Sequence, residues 1–346
     1  MMFFFTIITL FIVSLVIVLI FLFSIFFTKE ISFDVLHGRH VLITGGSKGI
    51  GWQLALLCVS YGANVTIVAR DPSHLDRCKI ELIKKSNFKN QKILAFSLDV
   101  SEDLIKMEQA FEEAENISGP IFILACCAGT AISRTFVDST IDQFQSQMNV
   151  NYFGTVNTIK ACLPSLKRNN NQDSHILLFS SLAGIFGLYG YSAYSPSKFA
   201  LIGLAQVLAM EFRPYKINLT VAMPPDTNTP GFEQEEKGKP LITKLISKEG
   251  GLFEAKDVAS KSLKDCLRKE FLSTSGLNGF VLSILCSGMM PTRSRIKQII
   301  EISTMGLFRL IALFFLDSCN QIIDKHHESI ITENLKDTIT KESKKD

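Results

Sequence analysis

The chain has 346 residues and a formal net charge of +3, from 36 basic and 33 acidic residues. That balance excludes a nucleic-acid-binding surface built on excess cations, so no nucleic acid is expected as a partner. The length allows one large α/β domain with appendages, and hydrophobic residues make up 47% of it, with an excess at one end.

Residues 3–27 carry no charge. As a helix at about 1.5 Å per residue they would reach about 37 Å, enough to cross a bilayer core of about 30 Å. The run lacks a basic leader and a small-residue cleavage site, which favours a retained anchor (residues 1–28) over a cleaved signal. A linker over 29–38 follows. Strand-like apolar runs then recur at 40–44, 64–69, 92–98, 121–126, 175–180, 217–222 and 279–286. Each is short and nearly continuous, as expected for strands covered on both faces. Helical stretches begin between them near Ile50, Ser73, Glu102, Thr140 and Ala193. This alternation predicts a doubly wound α/β domain over 39–290, a parallel sheet with helices on both sides. Periodicity breaks over 224–255, as in a substrate lid or binding loop. Beyond Pro291 a helical pattern resumes, with an apolar patch at 305–316 interrupted by Arg309; a C-terminal segment over 291–332 is read as interfacial, or as a helix packed on the core. Residues 333–346 are polar and read as disordered.

The eight cysteines show no metal-ligand spacing, and Cys58, Cys126, Cys127, Cys162 and Cys286 fall in predicted core elements, so a reduced domain is expected. Of the sequons at Asn64, Asn116 and Asn218, two lie in predicted strands that a glycan could not occupy.

The first strand runs into Thr44-Gly45-Gly46-Ser47-Lys48-Gly49-Ile50-Gly51, which opens a helix. Glycines allow the tight turn and close backbone approach to a pyrophosphate, and the helix N-terminus supplies free N–H groups. Gly45, Ser47, Lys48, Gly49, Ile50 and Gly51 are therefore assigned to a dinucleotide. Arg70 ends the second strand, where the reader of the adenosine ribose belongs. A guanidinium there suits a 2′-phosphate and favours NADP over NAD, with Lys48 as a second cation; Asp71, one residue on, could instead reach a free ribose hydroxyl. Asp99 and Val100 end the third strand, with Asp99 facing adenine or capping the next helix.

Tyr194 and Lys198 are four residues apart at the start of a predicted helix and share a face. A lysine there would lower the phenol pKa towards proton transfer. Ser181 ends the fifth strand thirteen residues upstream, at the sheet edge where ligands bind in open α/β folds.

The glycine loop, the Ser181…Tyr194-x-x-x-Lys198 spacing and Asn151 in Val150-Asn151-Tyr152-Phe153-Gly154 resemble the short-chain dehydrogenase/reductase family over about residues 40–288. The resemblance implies a Rossmann-type sheet and NADPH as cofactor. It makes Tyr194 the general acid and gives Lys198 the nicotinamide ribose and the depression of the Tyr194 pKa. Ser181 would orient the carbonyl, and Asn151 would hold a water in the proton relay. Where the family has Asn-Asn-Ala-Gly, this chain has Cys126-Cys127-Ala128-Gly129; Gly129 still admits the adenosine ribose. Where the family has Pro-Gly, Pro224-Pro225-Asp226-Thr227 stands, leaving Thr227 to reach the nicotinamide carboxamide. His74 stands four positions after Arg70, where the family often has a basic residue.

The anchor, the 224–232 stretch and Thr304-Met305-Gly306-Leu307-Phe308-Arg309 resemble the branch of that family that reduces 3-ketosphinganine to sphinganine. This implies a long-chain sphingoid ketone and a lipid bilayer as partners, at the endoplasmic reticulum with the catalytic domain facing the cytosol. A homo-oligomer is compatible with it. A retinoid or steroid oxidoreductase shares most of these features, and a silent NADP-binding scaffold would be expected to lack Tyr194 or Lys198.

Overall fold

The structure is a computed structural model describing residues 31–169, 173–292 and 294–342. The expected N-terminal anchor lies outside the described residues. In chain order come β1 (His40–Thr44), α1 (Gly49–Ser60), β2 (Asn64–Ala69), α2 (Pro72–Lys85), β3 (Ile93–Ser97), α3 (Leu104–Ser118) and β4 (Ile121–Cys126). Next are α4 (Ile141–Gln147), α5 (Gly154–Lys167), β5 (Ser174–Phe179), α6 (Tyr194–Glu211) and β6 (Ile217–Met223). The stretch 224–255, which an aperiodic sequence marks as a candidate lid, follows with β7 (Thr227–Asn228), α7 (Pro230–Glu236), α8 (Leu241–Ser247) and β8 (Phe253–Glu254). The chain closes with α9 (Ala255–Leu267), β9 (Leu272–Thr274), α10 (Gly276–Leu285) and α11 (Arg295–Glu342).

Seven strands form one sheet in the order β3-β2-β1-β4-β5-β6-β9, and every pairing in it is parallel. The doubly wound reading therefore holds. Side chains alternate between two cores. Leu42, Leu124, Ile176 and Val221 pack with Met107, Phe111, Ile159 and Leu166 on one face. Val41, Ile43, Ile123 and Leu177 pack with Leu54, Cys58, Leu82 and Leu263 on the other. Two buried faces explain why the strands read as continuous apolar runs. At the foot of the sheet His40 is 1% exposed. Its Nδ1 meets the Gly119 carbonyl at 2.8 Å and its Nε2 meets Thr66 Oγ1 at 2.8 Å. Burial pulls it down to about 4, so the ring is neutral.

Order reverses between β1 and β4, which opens a crevice at the carboxyl ends of those strands. Thr44, Cys126, Phe179 and Met223 end their strands on that edge, and the chemistry-bearing segments follow them directly.

Three expectations need correction. Residues 279–286 lie in α10 or at its end, not in a strand; the seventh strand is β9, three residues long. An unbroken apolar run does not distinguish strand from buried helix, and Gly276, at φ +73°, turns the chain into α10. The stretch 224–255 holds two short helices and a two-residue parallel pairing, β7 with β8. Finally, α11 continues past Glu333 to Glu342, where polar composition pointed to disorder; lysine and glutamate are good helix formers whatever their polarity.

All eight cysteines are free, six of them buried. Asn64 and Asn218 sit in β2 and β6, their side chains bonded to backbone of neighbouring strands.

Candidate active site

The glycine loop turns at Gly45, whose φ is +66° and whose added Cβ would lie 2.7 Å from the Ala128 amide nitrogen. At Gly51 a Cβ would lie 2.4 Å from the Gly45 carbonyl oxygen. Only glycine lets this loop press against the end of β4 and start α1 there. The N-cap of α1 is Lys48, in extended conformation, and no side chain caps the helix. Its first N–H groups therefore face a cleft of about 1210 Å³ with a helix dipole behind them, a cradle for a pyrophosphate.

Tyr194, Lys198, Ser181, Thr227, Gly129, Val100, Asp99, Arg70 and the glycine-loop residues Gly45, Ser47, Lys48, Gly49, Ile50 and Gly51 all line this one cleft. Asn151 does not. It is fully buried in a π-helical turn, Met148–Phe153, between α4 and α5. Its Nδ2 donates to the Thr130 carbonyl at 3.0 Å and to Ser197 Oγ at 2.9 Å, while its Oδ1 accepts from the Thr130 amide at 2.9 Å. In this arrangement the Asn151 side chain braces the Gly129–Thr130 wall against α6.

The ends of β2 and β3 settle two ambiguities. Asp71 is the N-cap of α2, accepting from the His74 amide at 3.1 Å, so its carboxylate is committed to the helix. His74 turns back and bonds the Ser47 carbonyl at 3.0 Å, bracing the glycine loop. Arg70 is left exposed at the cleft rim, 3.6 Å from Asp99. Asp99 does not cap α3, a role taken by Asp103; it accepts from the Ser101 amide and hydroxyl at 2.9 and 2.6 Å. Burial would raise the Asp99 carboxyl, but those bonds and Arg70 together hold it below its ordinary value.

Ser181 follows β5, and its Oγ accepts from the Ala183 amide at 3.1 Å. The Tyr194 phenol faces the Ser181 side chain, which favours its ionised form. Lys198 is buried one turn further along α6 and donates to the Phe179 carbonyl at 2.9 Å. Its Nζ lies 5.7 Å from the Tyr194 ring centroid, and burial pulls its pKa down to about 8 against an opposing influence from Cys127. The expected depression of the Tyr194 pKa is absent. Burial, then the Glu235 carboxylate, push the phenol up; the Ser181 side chain opposes them and Asp226 adds to the rise. Lys198 donates to a carbonyl, and the charges that act on the phenol are the Glu235 and Asp226 carboxylates, both partnered by Lys239. The phenol is therefore protonated at neutral pH, the state required to donate a proton.

The lid supplies residues that sequence reading did not single out. Tyr191 Oη donates to Glu235 Oε1, and its ring centroid lies 5.4 Å from that of Tyr194. Lys239, 5% exposed, pairs with Glu236 at 2.5 Å, Glu235 at 3.2 Å and Asp226 at 3.5 Å. Burial raises the pKa of both Asp226 and Glu235, and Lys239 opposes that rise. The only sequence signal for this cluster is the density of acidic residues in an aperiodic stretch. On the opposite wall Leu277, Val281, Leu285, Phe308, Ile311 and Phe315 give the cleft an apolar end.

Residues 39–240 match the family described as short chain dehydrogenase. The chain is 45% identical to a 3-dehydrosphinganine reductase of Danio rerio, over 83% of this chain and 86% of that protein. It is 42% identical to a 3-ketodihydrosphingosine reductase of Bos taurus, with the same coverage. Against a 3-dehydrosphinganine reductase of Arabidopsis thaliana the identity is 38%, again over 83% and 86%.

Proposed function

The chain belongs to the short chain dehydrogenase family, and we propose that it reduces 3-ketosphinganine to sphinganine with NADPH. The observation that carries the reading is a single cleft lined by a phosphate cradle, an exposed arginine, Tyr194 and Ser181, and apolar side chains of α10 and α11. The dinucleotide supplies a hydride when bound. Gly45, Ser47, Lys48, Gly49, Ile50 and Gly51 hold its pyrophosphate, Arg70 its 2′-phosphate, Asp99 and Val100 its adenine, and Gly129 the adenosine ribose. Lys198 and Tyr194 hold the nicotinamide ribose, and Thr227 lies towards the carboxamide.

Ser181 orients the ketone oxygen, and Tyr194, protonated in its buried setting, gives up its proton to that oxygen as the carbinol forms. Asn151 contributes by fixing the wall behind Lys198. The balance is one ketone, one NADPH and one proton to one alcohol and NADP⁺. Two lid carboxylates, Asp226 and Glu235, line the cleft near Tyr194. Their charge suits a substrate with an ammonium beside its carbonyl, and gives no advantage to a neutral retinoid or steroid. The intact Tyr194 and Lys198 argue against a silent scaffold.

The membrane reading rests on α11. Its portion Arg295–His326 is long and apolar enough to cross a bilayer, and only 17% of its most apolar window is buried. Phe308, Ile311 and Phe315 line the cleft, while Leu307, Leu310 and Phe314 are exposed. One helix thus joins the apolar end of the cleft to a lipid-facing surface, a route for a long alkyl chain. Domain limits follow this reading: an anchor at 1–28, a linker at 29–38, a catalytic domain over 39–290 and a membrane-associated segment over 291–332. Free cysteines fit a catalytic domain on the cytosolic side of the endoplasmic reticulum.

The test is NADPH oxidation by the full chain in detergent with 3-ketosphinganine. Turnover is expected, weaker with NADH. Reduction of a steroid or retinoid ketone in its place would overturn the substrate and leave the family standing.

A further inference from the structure

The turn that delivers Tyr194 is held by the lid. Tyr191 is 4% exposed, and its carbonyl accepts from the Ser195 amide at 2.9 Å, tying it to the first turn of α6. Its hydroxyl donates to Glu235 on α7. Two residues upstream, Thr243 Oγ1 on α8 donates to the Tyr189 carbonyl at 2.9 Å. Between them Gly190, at φ +79°, passes so close that an added Cβ would lie 2.2 Å from Thr243 Oγ1 and 3.2 Å from Pro240. On the lid side, Glu235 is fixed by Lys239, which also lies over the Phe232 ring at 4.7 Å. The base of the lid reaches the cofactor loop, since a Cβ on Gly49 would lie 3.0 Å from Thr229 Cγ2.

We infer that Tyr191, Glu235 and Thr243 form a latch that couples lid position to the catalytic turn, making them positioning residues for Tyr194. The inference rests on the proposed reduction. With the latch made, two lid helices clamp residues 189–191 and hold the phenol beside Ser181. With it broken, α7 is released from the turn, and Tyr194 loses both its support and the Glu235 charge. The groups facing the phenol are Ser181, Glu235, Asp226 and Tyr191, with Lys198 behind it on α6 and Lys239 behind the two carboxylates. Glu235 and Asp226 both favour the protonated phenol. The reduction needs that form, so turnover falls as pH rises through the phenol pKa. Removing the Glu235 charge moves that fall to lower pH.

The experiment compares full-length wild type with Tyr191→Phe, Glu235→Gln and Thr243→Val in detergent. It measures kcat and KM across pH, NADPH affinity by fluorescence, and thermal midpoint. Tyr191→Phe is expected to lower kcat by up to about tenfold, the worth of one such hydrogen bond, with NADPH affinity within about twofold of wild type. Thr243→Val acts in the same direction and less strongly. Glu235→Gln, which can still accept from Tyr191, moves the alkaline limb of kcat to lower pH; Tyr191→Phe moves it less. Wild-type kcat in Tyr191→Phe and Thr243→Val, with an unmoved alkaline limb in Glu235→Gln, would overturn the latch. If Tyr191→Phe does not fold, the other two variants decide. If wild type reduces a different ketone, the proposed substrate falls and the latch is read on the ketone it accepts.

Discussion

The two ends of the cleft are built by different means. The cofactor end is made of backbone: glycines at Gly45 and Gly51 with no room for a Cβ, an uncapped helix start at Lys48, and strand ends fixed by the parallel sheet. Its side chains do little beyond Arg70 and the bracing by His74. The substrate end is made of side chains from distant segments. Tyr191 precedes α6, Asp226 follows β6, Glu235 and Lys239 come from the lid, and Phe308, Ile311 and Phe315 come from α11. A shape set by backbone tolerates little change, whereas one set by side chains can be retuned for another substrate without disturbing the sheet.

Substitutions can break or sharpen that contrast. The largest effect is expected at the junction of the two ends. Tyr194→Phe should lower kcat by about 10²–10⁴-fold, the usual worth of a general acid, while NADPH affinity falls by no more than about tenfold, the worth of its one ribose hydrogen bond; steady-state NADPH oxidation beside a fluorescence titration checks both. A loss of NADPH binding equal to the loss of turnover would mean that Tyr194 serves the cofactor end alone.

Next in size is a test of the scaffold, away from either end. His40 is neutral in the fold at about 4, below its ordinary value of 6.5. The unfolded chain therefore binds the extra proton between those values, and stability falls as pH drops from about 6.5 to 4, by about 3 kcal/mol from this group. Denaturant unfolding of wild type and His40→Gln at pH 7 and pH 5 measures it, and the variant should lose the His40 share of the slope. An identical slope would mean that the imidazole protonates without cost.

Arg70→Ala tests the arginine assigned to the 2′-phosphate. A charged hydrogen bond contributes about 1.5–3 kcal/mol, so NADPH preference over NADH should fall by roughly tenfold or more, measured as a ratio of kcat/KM values. An unchanged ratio would move discrimination to Lys48. The smallest effect is expected in the apolar wall. Phe315→Ala should raise KM a few-fold for a long-chain ketone and leave a short, soluble ketone unaffected, because only the long chain reaches α11. Equal effects on both would place Phe315 in the fold and outside substrate contact.

Legibility in the sequence divides along the same line. The β1 strand, the glycine loop and the start of α1 are contiguous in the chain, so their chemistry could be read from residue order. Ser181, Tyr194 and Lys198 are separated by one strand–helix connection, and spacing alone put them on one edge. The strand β9 is invisible in the sequence because three residues carry no period, and α10 resembles a strand there because an apolar run has the same composition in a strand and in a buried helix. Asp71 could not be judged either, since a carboxylate after a strand serves a ribose or a helix cap equally well until the His74 amide is located.

Order along the chain thus determined the doubly wound sheet and the glycine turn that opens α1, because each depends on short-range geometry and on glycine's missing side chain. Tertiary structure decided the rest. It set the charges that surround Tyr194, the bonds from Asn151 to Thr130 and Ser197, and the Tyr191–Glu235–Lys239 cluster. The charges and hydrogen bonds that set them come from residues tens of positions apart, and their strength depends on burial, which only the packed fold creates.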